Sequence, residues 1–286
     1  MADKAYAKAI AVVAPSRRLD PAAAEAASAV AAGLGDGAPR LFFHPQCFLA
    51  DGHFAGDDHA RTEAFVEVAN DPSFDAVWFA RGGYGACRLD DGLEARLGDA
   101  ACAKTYLGYS DCGYLLARLA AAGVGRVVHG PMPADIARER GEEAVARALR
   151  WLVRGDDASL EAEARAAAAE APLAAFNAPV HAHALAADRA PDLSGCVLMI
   201  EEIAEHDYRF DRTMHAIMTR VGRSLAGFAL GRVSDTPEND VAFGRTSEEI
   251  AQYWCARVGT AYLGRADIGH DADNKIVVLG PPTASG

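Results

Sequence analysis

The chain has 286 residues, 51% of them hydrophobic and 24% charged, the usage of an ordinary folded protein rather than a disordered one. With 40 acidic and 28 basic side chains, the formal charge is −12. That balance lacks the basic footprint needed to hold nucleic-acid phosphates or anionic lipid, so neither nucleic acid nor membrane is expected as a partner.

The first apolar run, Ala9–Ala14 (AIAVVA), stops at Pro15-Ser16-Arg17-Arg18. A signal-peptide core runs about 7–15 residues, so this segment reads as a first buried strand. No stretch approaches the roughly 20 apolar residues of a membrane span, and a cytoplasmic location is expected. Asp20 as N-cap and Pro21 at the first helical position open a helix over Pro21–Leu34. Further strands are expected at Leu41–Phe43, Ala76–Ala80, Thr105–Leu107 and Arg126–Val128. Helices are expected at Asp57–Ala69 and at Cys112–Ala122, the latter capped by Ser110 or Asp111. Strand and helix alternating at this spacing make an α/β fold, a doubly wound parallel sheet that binds ligands beyond the carboxyl ends of its strands. From Asp135 to Ala171 the chain is Ala-, Arg- and Glu-rich and helical, broken near Gly155-Asp156-Asp157. It reads as a connection between two domains, 1–160 and 161–286. The second begins with a strand at Val197–Ile203, then a helix at Tyr208–Val221 and a strand at Leu225–Leu230. A helix at Ser247–Val258 and a late strand at Ile276–Leu279 complete a smaller α+β domain.

Several chemistries fall away on residue type. Only four basic residues are lysine, and no Gly-Lys-Ser/Thr occurs, which excludes a Walker-type nucleotide site. The six cysteines are scattered without a CxxC, which suits a reducing compartment and gives no zinc site. His181-x-His183 has the spacing of a metal pair but no acidic or cysteine ligand beside it, and reads as a surface loop. No metal and no cofactor are expected.

Two turns concentrate the remaining chemistry. The strand Ala76-Val77-Trp78-Phe79-Ala80 runs into Arg81-Gly82-Gly83-Tyr84-Gly85, three glycines in four residues. Such glycines let backbone N–H groups face an anion, or simply allow a tight turn; the dinucleotide fingerprint fails at Arg88. Thr105-Tyr106-Leu107-Gly108-Tyr109-Ser110-Asp111-Cys112 has the strand–turn–helix setting of a nucleophile elbow, or else Ser110 or Asp111 caps the helix. As bases, His129 ends a strand near Ser110, and His270 lies in a polar loop. Glu201-Glu202 closes an apolar strand, where a carboxylate needs a partner, either a base or Arg209 or Arg212.

Taken together these segments resemble the LD-carboxypeptidase family, the serine peptidases that include the microcin immunity peptidases. The matches are Ala14-Pro15-Ser16, Leu49-Ala50-Asp51 before Ala60-Arg61, Arg81-Gly82-Gly83-Tyr84-Gly85 and Gly108-Tyr109-Ser110-Asp111. After them come His129-Gly130-Pro131-Met132, Glu201-Glu202-Ile203 with Glu205 and Tyr208-Arg209-Phe210-Asp211-Arg212, and Gly269-His270. The resemblance implies a flavodoxin-like first domain bearing the nucleophile Ser110, and a swivelling second domain bearing the acid Glu201 and the base His270. It implies an oxyanion hole from the amides of Gly83 and Asp111, a homodimer, and a muropeptide substrate that loses its terminal D-alanine during cell-wall recycling. A terminal carboxylate then needs a cation, for which Arg81 is placed first, with Tyr84 and His129 as further substrate contacts.

The chain departs from the family at three points. Ala175-Phe176-Asn177 stands for Gly-Gly-Asn, Glu202 stands where Asp is common, and the chain ends soon after Leu279-Gly280, so the last strand is expected to be short or missing. The alternatives to a murein peptidase are a microcin-immunity-type amide hydrolase and a catalytically silent small-molecule binding protein.

Overall fold

The computed structural model describes residues 7–168 and 170–280. The fold is α/β, as expected, with a six-stranded sheet and a second, four-stranded one. The first sheet is built from β1 (Ala9–Val13), β2 (Arg40–Phe43), β3 (Ala76–Phe79), β4 (Thr105–Gly108) and β5 (Arg126–His129). These five are parallel in the order 5-4-3-1-2, the flavodoxin-like order with its switch point between β1 and β3. β1 and β3 are buried along their whole length because helices cover both faces. On one face lie α1 (Pro21–Ala32) and α5 (Gly141–Arg154); on the other lie α2 (Asp58–Asn70), a single turn α3 (Asp99–Cys102) and α4 (Gly113–Ala121).

Asp20 caps its helix as expected, and an Asp also caps α2. Asp20 accepts from the Ala22 N–H at 3.0 Å and Asp57 from the Ala60 N–H at 2.7 Å. The expectation that Ser110 or Asp111 caps α4 is corrected. Ser110–Cys112 form a separate 3-10 turn without a side-chain cap, and the Asp111 carboxylate points back toward the loops after β1 and β3.

After a short helix α6 (Glu163–Ala168), the second sheet runs β6 (Leu173–Asn177), β7 (Val197–Ile203), β8 (Gly227–Ser234) and β9 (Tyr262–Arg265), all parallel. It is accompanied by α7 (Ala178–Ala186), α8 (Asp207–Val221) and α9 (Ser247–Val258). One apolar cluster spans both sheets, joining Leu115 and Leu119 of α4 to Phe176 of β6 and Ile200 of β7, so the two units share a core. The late strand β10 is only Val277–Val278, and it pairs antiparallel with β5 at the edge of the first sheet, Val277 opposite His129. The polypeptide thus returns to the first sheet after completing the second. No helix among the described residues is long and apolar enough to cross a membrane.

Candidate active site

The carboxyl ends of β1, β3, β4 and β5 converge on Ser110. Its φ of 57° is left-handed, a conformation that costs a non-glycine residue about 1–2 kcal/mol and must be held by its surroundings. Two contacts hold it. The buried Asp111 carboxylate accepts from the Ser16 hydroxyl and from the Ala86 N–H at 2.9 Å, tying the loops after β1, β3 and β4 together. Burial pushes the Asp111 carboxyl above its ordinary value. Beside it, Gly82 leaves the room that Ser110 occupies: a Cβ there would fall 2.8 Å from both the Ser110 Oγ and Cβ and 3.4 Å from the Asp111 nitrogen. Gly83 follows at φ 118°, with the stem of Arg17 lying where its side chain would be. No turn or loop hydrogen bond among the described residues uses the N–H of Gly83 or Asp111.

From the second sheet, Glu201 meets the same point. It is fully buried at the end of β7, where the pairing with β8 slips register between Ile200 and Glu202. A Cβ on Gly231 of β8 would lie 2.8 Å from the Glu201 Cβ, so the glycine gives the carboxylate its place. The Glu201 Oε2 is 2.6 Å from the His270 Nδ1, and the His270 Nε2 is 2.9 Å from the Ser110 Oγ. Burial opposes charging of His270, but the Glu201 charge and hydrogen bond outweigh it and hold the imidazole above its ordinary value. Glu202 is also buried. Its Oε1 accepts from the Ile203 N–H at 2.8 Å and the Asn177 amide at 3.4 Å, and burial pushes it up to about 8, so it is mostly protonated at neutral pH.

The loop that carries His270 is fastened by arginines. Arg138 donates to the His270 carbonyl at 2.7 Å and to Asp135 at 3.0 Å, while Asp135 also accepts from the Tyr109 hydroxyl at 2.8 Å. Arg147 donates to the carbonyls of Ala272 and Asn274, Arg140 pairs with Asp273, and Arg232 of β8 pairs with Asp267 and Asp271. Tyr109 packs its ring 4.9 Å from the imidazole.

Ser110 and His270 open on a cleft of about 450 Å³ whose rim carries Arg17, Arg81 and Arg138. Arg81 is thus placed at the cleft. Tyr84 is not: it is 48% exposed and packs beside His53 and Phe54. His129 also stays outside the cleft. It is 1% exposed, sits behind Tyr109, faces the Asn274 Oδ1 at 3.2 Å, and is driven down to about 4 by burial. Neither side chain is part of the wall around Ser110 and His270. Arg209 interacts with Tyr208 and Glu205, and Arg212 stacks on Tyr208, so neither reaches Glu201. The His181-x-His183 pair is helical rather than a loop, with His181 buried against Phe176 at 4.5 Å between ring centroids and His183 exposed. Among the described residues, one cluster has metal-ligand proximity, His59, Glu63 and Asp90, and there Arg96 already takes both oxygens of Glu63. Sequence reasoning missed Arg17, Tyr109, Asp135 and Arg138. Arg17 adjoins the Ala14-Pro15-Ser16 match, which was the available signal for it.

The architecture and sequence both have known counterparts. The model of the LD-carboxypeptidase N-terminal domain matches residues 10–130, and that of the C-terminal domain matches residues 170–284. A murein tetrapeptide carboxypeptidase of Pseudomonas aeruginosa is 27% identical over 238 residues, covering 78% of this chain and 76% of that protein. Among solved structures, the muramoyltetrapeptide carboxypeptidase of Oxalobacter formigenes superposes with a TM-score of 0.78 at 21% identity, covering 95% of this chain and 92% of that one. The microcin C7 self-immunity protein MccF, solved with glutamyl sulfamoyl guanosine, gives a TM-score of 0.75 at 16% identity over 98% of each chain. With both domain models matched in order along the chain, this protein belongs to the LD-carboxypeptidase family and is, by family, a serine-type carboxypeptidase.

Proposed function

We propose that Ser110, His270 and Glu201 act as nucleophile, base and acid in hydrolysing the amide bond to a terminal D-alanine of a murein tetrapeptide. The observation that carries this reading is the unbroken line of hydrogen bonds from Glu201 through His270 to Ser110, opening on a cation-rimmed cleft. The His270 Nε2 takes the Ser110 proton as the Oγ attacks the carbonyl carbon. Glu201 fixes the proton on Nδ1 and offsets the imidazolium charge. The amides of Gly83 and Asp111 receive the oxyanion, an effect worth about 3 kcal/mol per donor. His270 then protonates the leaving amine as the C–N bond breaks, and water, deprotonated by His270, releases the acyl group from Ser110. Arg81 grips the terminal carboxylate, which would otherwise be repelled by a chain of charge −12.

The test is mass-spectrometric release of D-alanine from L-Ala-D-Glu-meso-diaminopimelate-D-Ala. Ser110→Ala is expected to lower turnover by at least 10³-fold while the thermal midpoint stays within a few degrees. An alanine variant with normal turnover would sink the reading. An aminoacyl sulfamoyl nucleoside in a parallel assay tests the immunity-type activity against the peptidase one.

A further inference from the structure

Three arginines line the cleft, and they are not equivalent. Arg138 is committed, to Asp135 and to the His270 carbonyl, whereas the Arg17 and Arg81 side chains have neither an ion pair nor a hydrogen bond among the described residues. Both therefore face the cleft with donors to spare. They also repel each other: burial first, then the charges of Arg17 and Arg138, hold the Arg81 guanidinium below its ordinary value. The carboxylates that offset this are Asp135, already bound to Arg138, and Asp20, whose oxygen caps α1. Unpaired like charges side by side cost free energy, which a bound anion returns.

Arg17 is also held in place. Its neighbour Ser16 is fully buried and hydrogen-bonded to Asp111, which fixes the loop to the nucleophile turn. Its own stem lies across Gly83, where the missing side chain leaves the space. The backbone and stem of Arg17 are placed by these contacts, and its exposed guanidinium reaches the cleft.

We propose that Arg17 is a specificity-determining residue that binds a second carboxylate of the substrate, distinct from the terminal one held by Arg81. This inference rests on the reading of the cleft as a carboxypeptidase site. One charge-assisted pair of this kind corresponds to about a tenfold to hundredfold preference.

The experiment uses two pairs of synthetic peptides, each ending in free D-alanine. Within a pair, one peptide bears a side-chain carboxylate and the other the corresponding carboxamide. One pair carries the group on the residue supplying the attacked carbonyl, and the other carries it one residue further from the cut. The readout is the ratio of kcat/KM, acid over amide, for the wild type and for Arg17→Met, whose stem still covers Gly83. In at least one pair the wild-type ratio should be tenfold or more and should fall to within about twofold of unity in the variant. A wild-type ratio near unity in both pairs, or a variant ratio equal to that of the wild type, overturns the proposal. Binding of the same peptides to Ser110→Ala keeps the two readings apart. If no peptide is cleaved yet Arg17→Met on that background still abolishes acid-over-amide binding preference, the peptidase reading fails and the Arg17 assignment stands. Equal binding of acid and amide by Ser110→Ala overturns Arg17.

Discussion

Replacing Glu201 by Gln isolates the electrostatic part of the proposed site. The amide has the shape of the carboxylate, but it removes the charge that lies 2.6 Å from the His270 Nδ1. Two unit charges about 4 Å apart attract by about 4 kcal/mol at an effective dielectric constant near 20. That attraction applies once the imidazole has taken the serine proton, so its loss predicts a fall in kcat on the order of 10³. Orientation adds to the effect. If the glutamine oxygen faces Nδ1, its NH2 group lies where the Glu201 Oε1 has no partner, leaving a buried donor unpaired at about 1–3 kcal/mol. If the NH2 group faces Nδ1 instead, the ring proton moves to Nε2 and His270 can no longer accept from Ser110. The pH dependence has a definite sign. Neutral imidazole is the active form, so kcat/KM rises with pH through the His270 pKa, and in the wild type that midpoint lies above 6.5. Without the Glu201 charge, burial is left to dominate and the midpoint should fall below 6.5. The assay is D-alanine release from pH 5 to 9, with circular dichroism to verify folding. An acid limb that does not move, or a kcat within about threefold of wild type, would refute this account of Glu201.

Gly82→Ala places a methyl group 2.8 Å from the Ser110 Oγ, so kcat should drop about 100-fold while the overpacking costs about 1–3 kcal/mol in urea titration; unchanged kcat would show that Ser110 yields at no expense. Glu202→Gln tests the second buried carboxyl. Its folded pKa is raised from 4.5 to about 8, so the protonated form contributes stability that is complete below 4.5 and lost as pH rises through 8. The variant, which does not titrate, should therefore gain on the wild type as the pH is raised from 5 to 9, with a ceiling of about 5 kcal/mol; a difference flat across that range in denaturant melts would contradict a raised Glu202 pKa.

The parallel strands and their covering helices were legible in the sequence because a buried parallel strand is apolar throughout and its helices carry caps, as at Asp20 and Asp57. Ser110, Glu201 and His270 were each singled out, and in the structure they lie in hydrogen-bond contact. Orientation was less legible. Asp111 follows the serine in a helix start, and only the fold reveals that its carboxylate turns inward to Ser16 rather than capping α4. His129 ends a strand near the site, but β10 pairs alongside it and Asn274 covers it, a partner 145 residues away. Arg138, Arg140 and Arg147 lie more than 120 residues before the loop they hold, a separation that carries no periodic signal, so the clamp on the His270 loop is not legible in the sequence. A two-residue strand such as β10 is too short for any pattern to say which sheet it joins.

The return of β10 to the first sheet gives the loop that carries His270 a footing on both units. His270 comes late in the chain, yet Arg138, Arg140 and Arg147 fasten its loop to the body that carries Ser110, and Asn274 bonds His129 of that body's sheet. Glu201 is rooted in β7 of the other sheet. Arg232 of β8, in that same sheet, also grips the loop through Asp267 and Asp271, and its N–H donates to the Ile268 carbonyl, so the imidazole is held from both sheets. Displacing one sheet against the other would therefore strain the serine–imidazole and imidazole–carboxylate contacts together, not one of them alone.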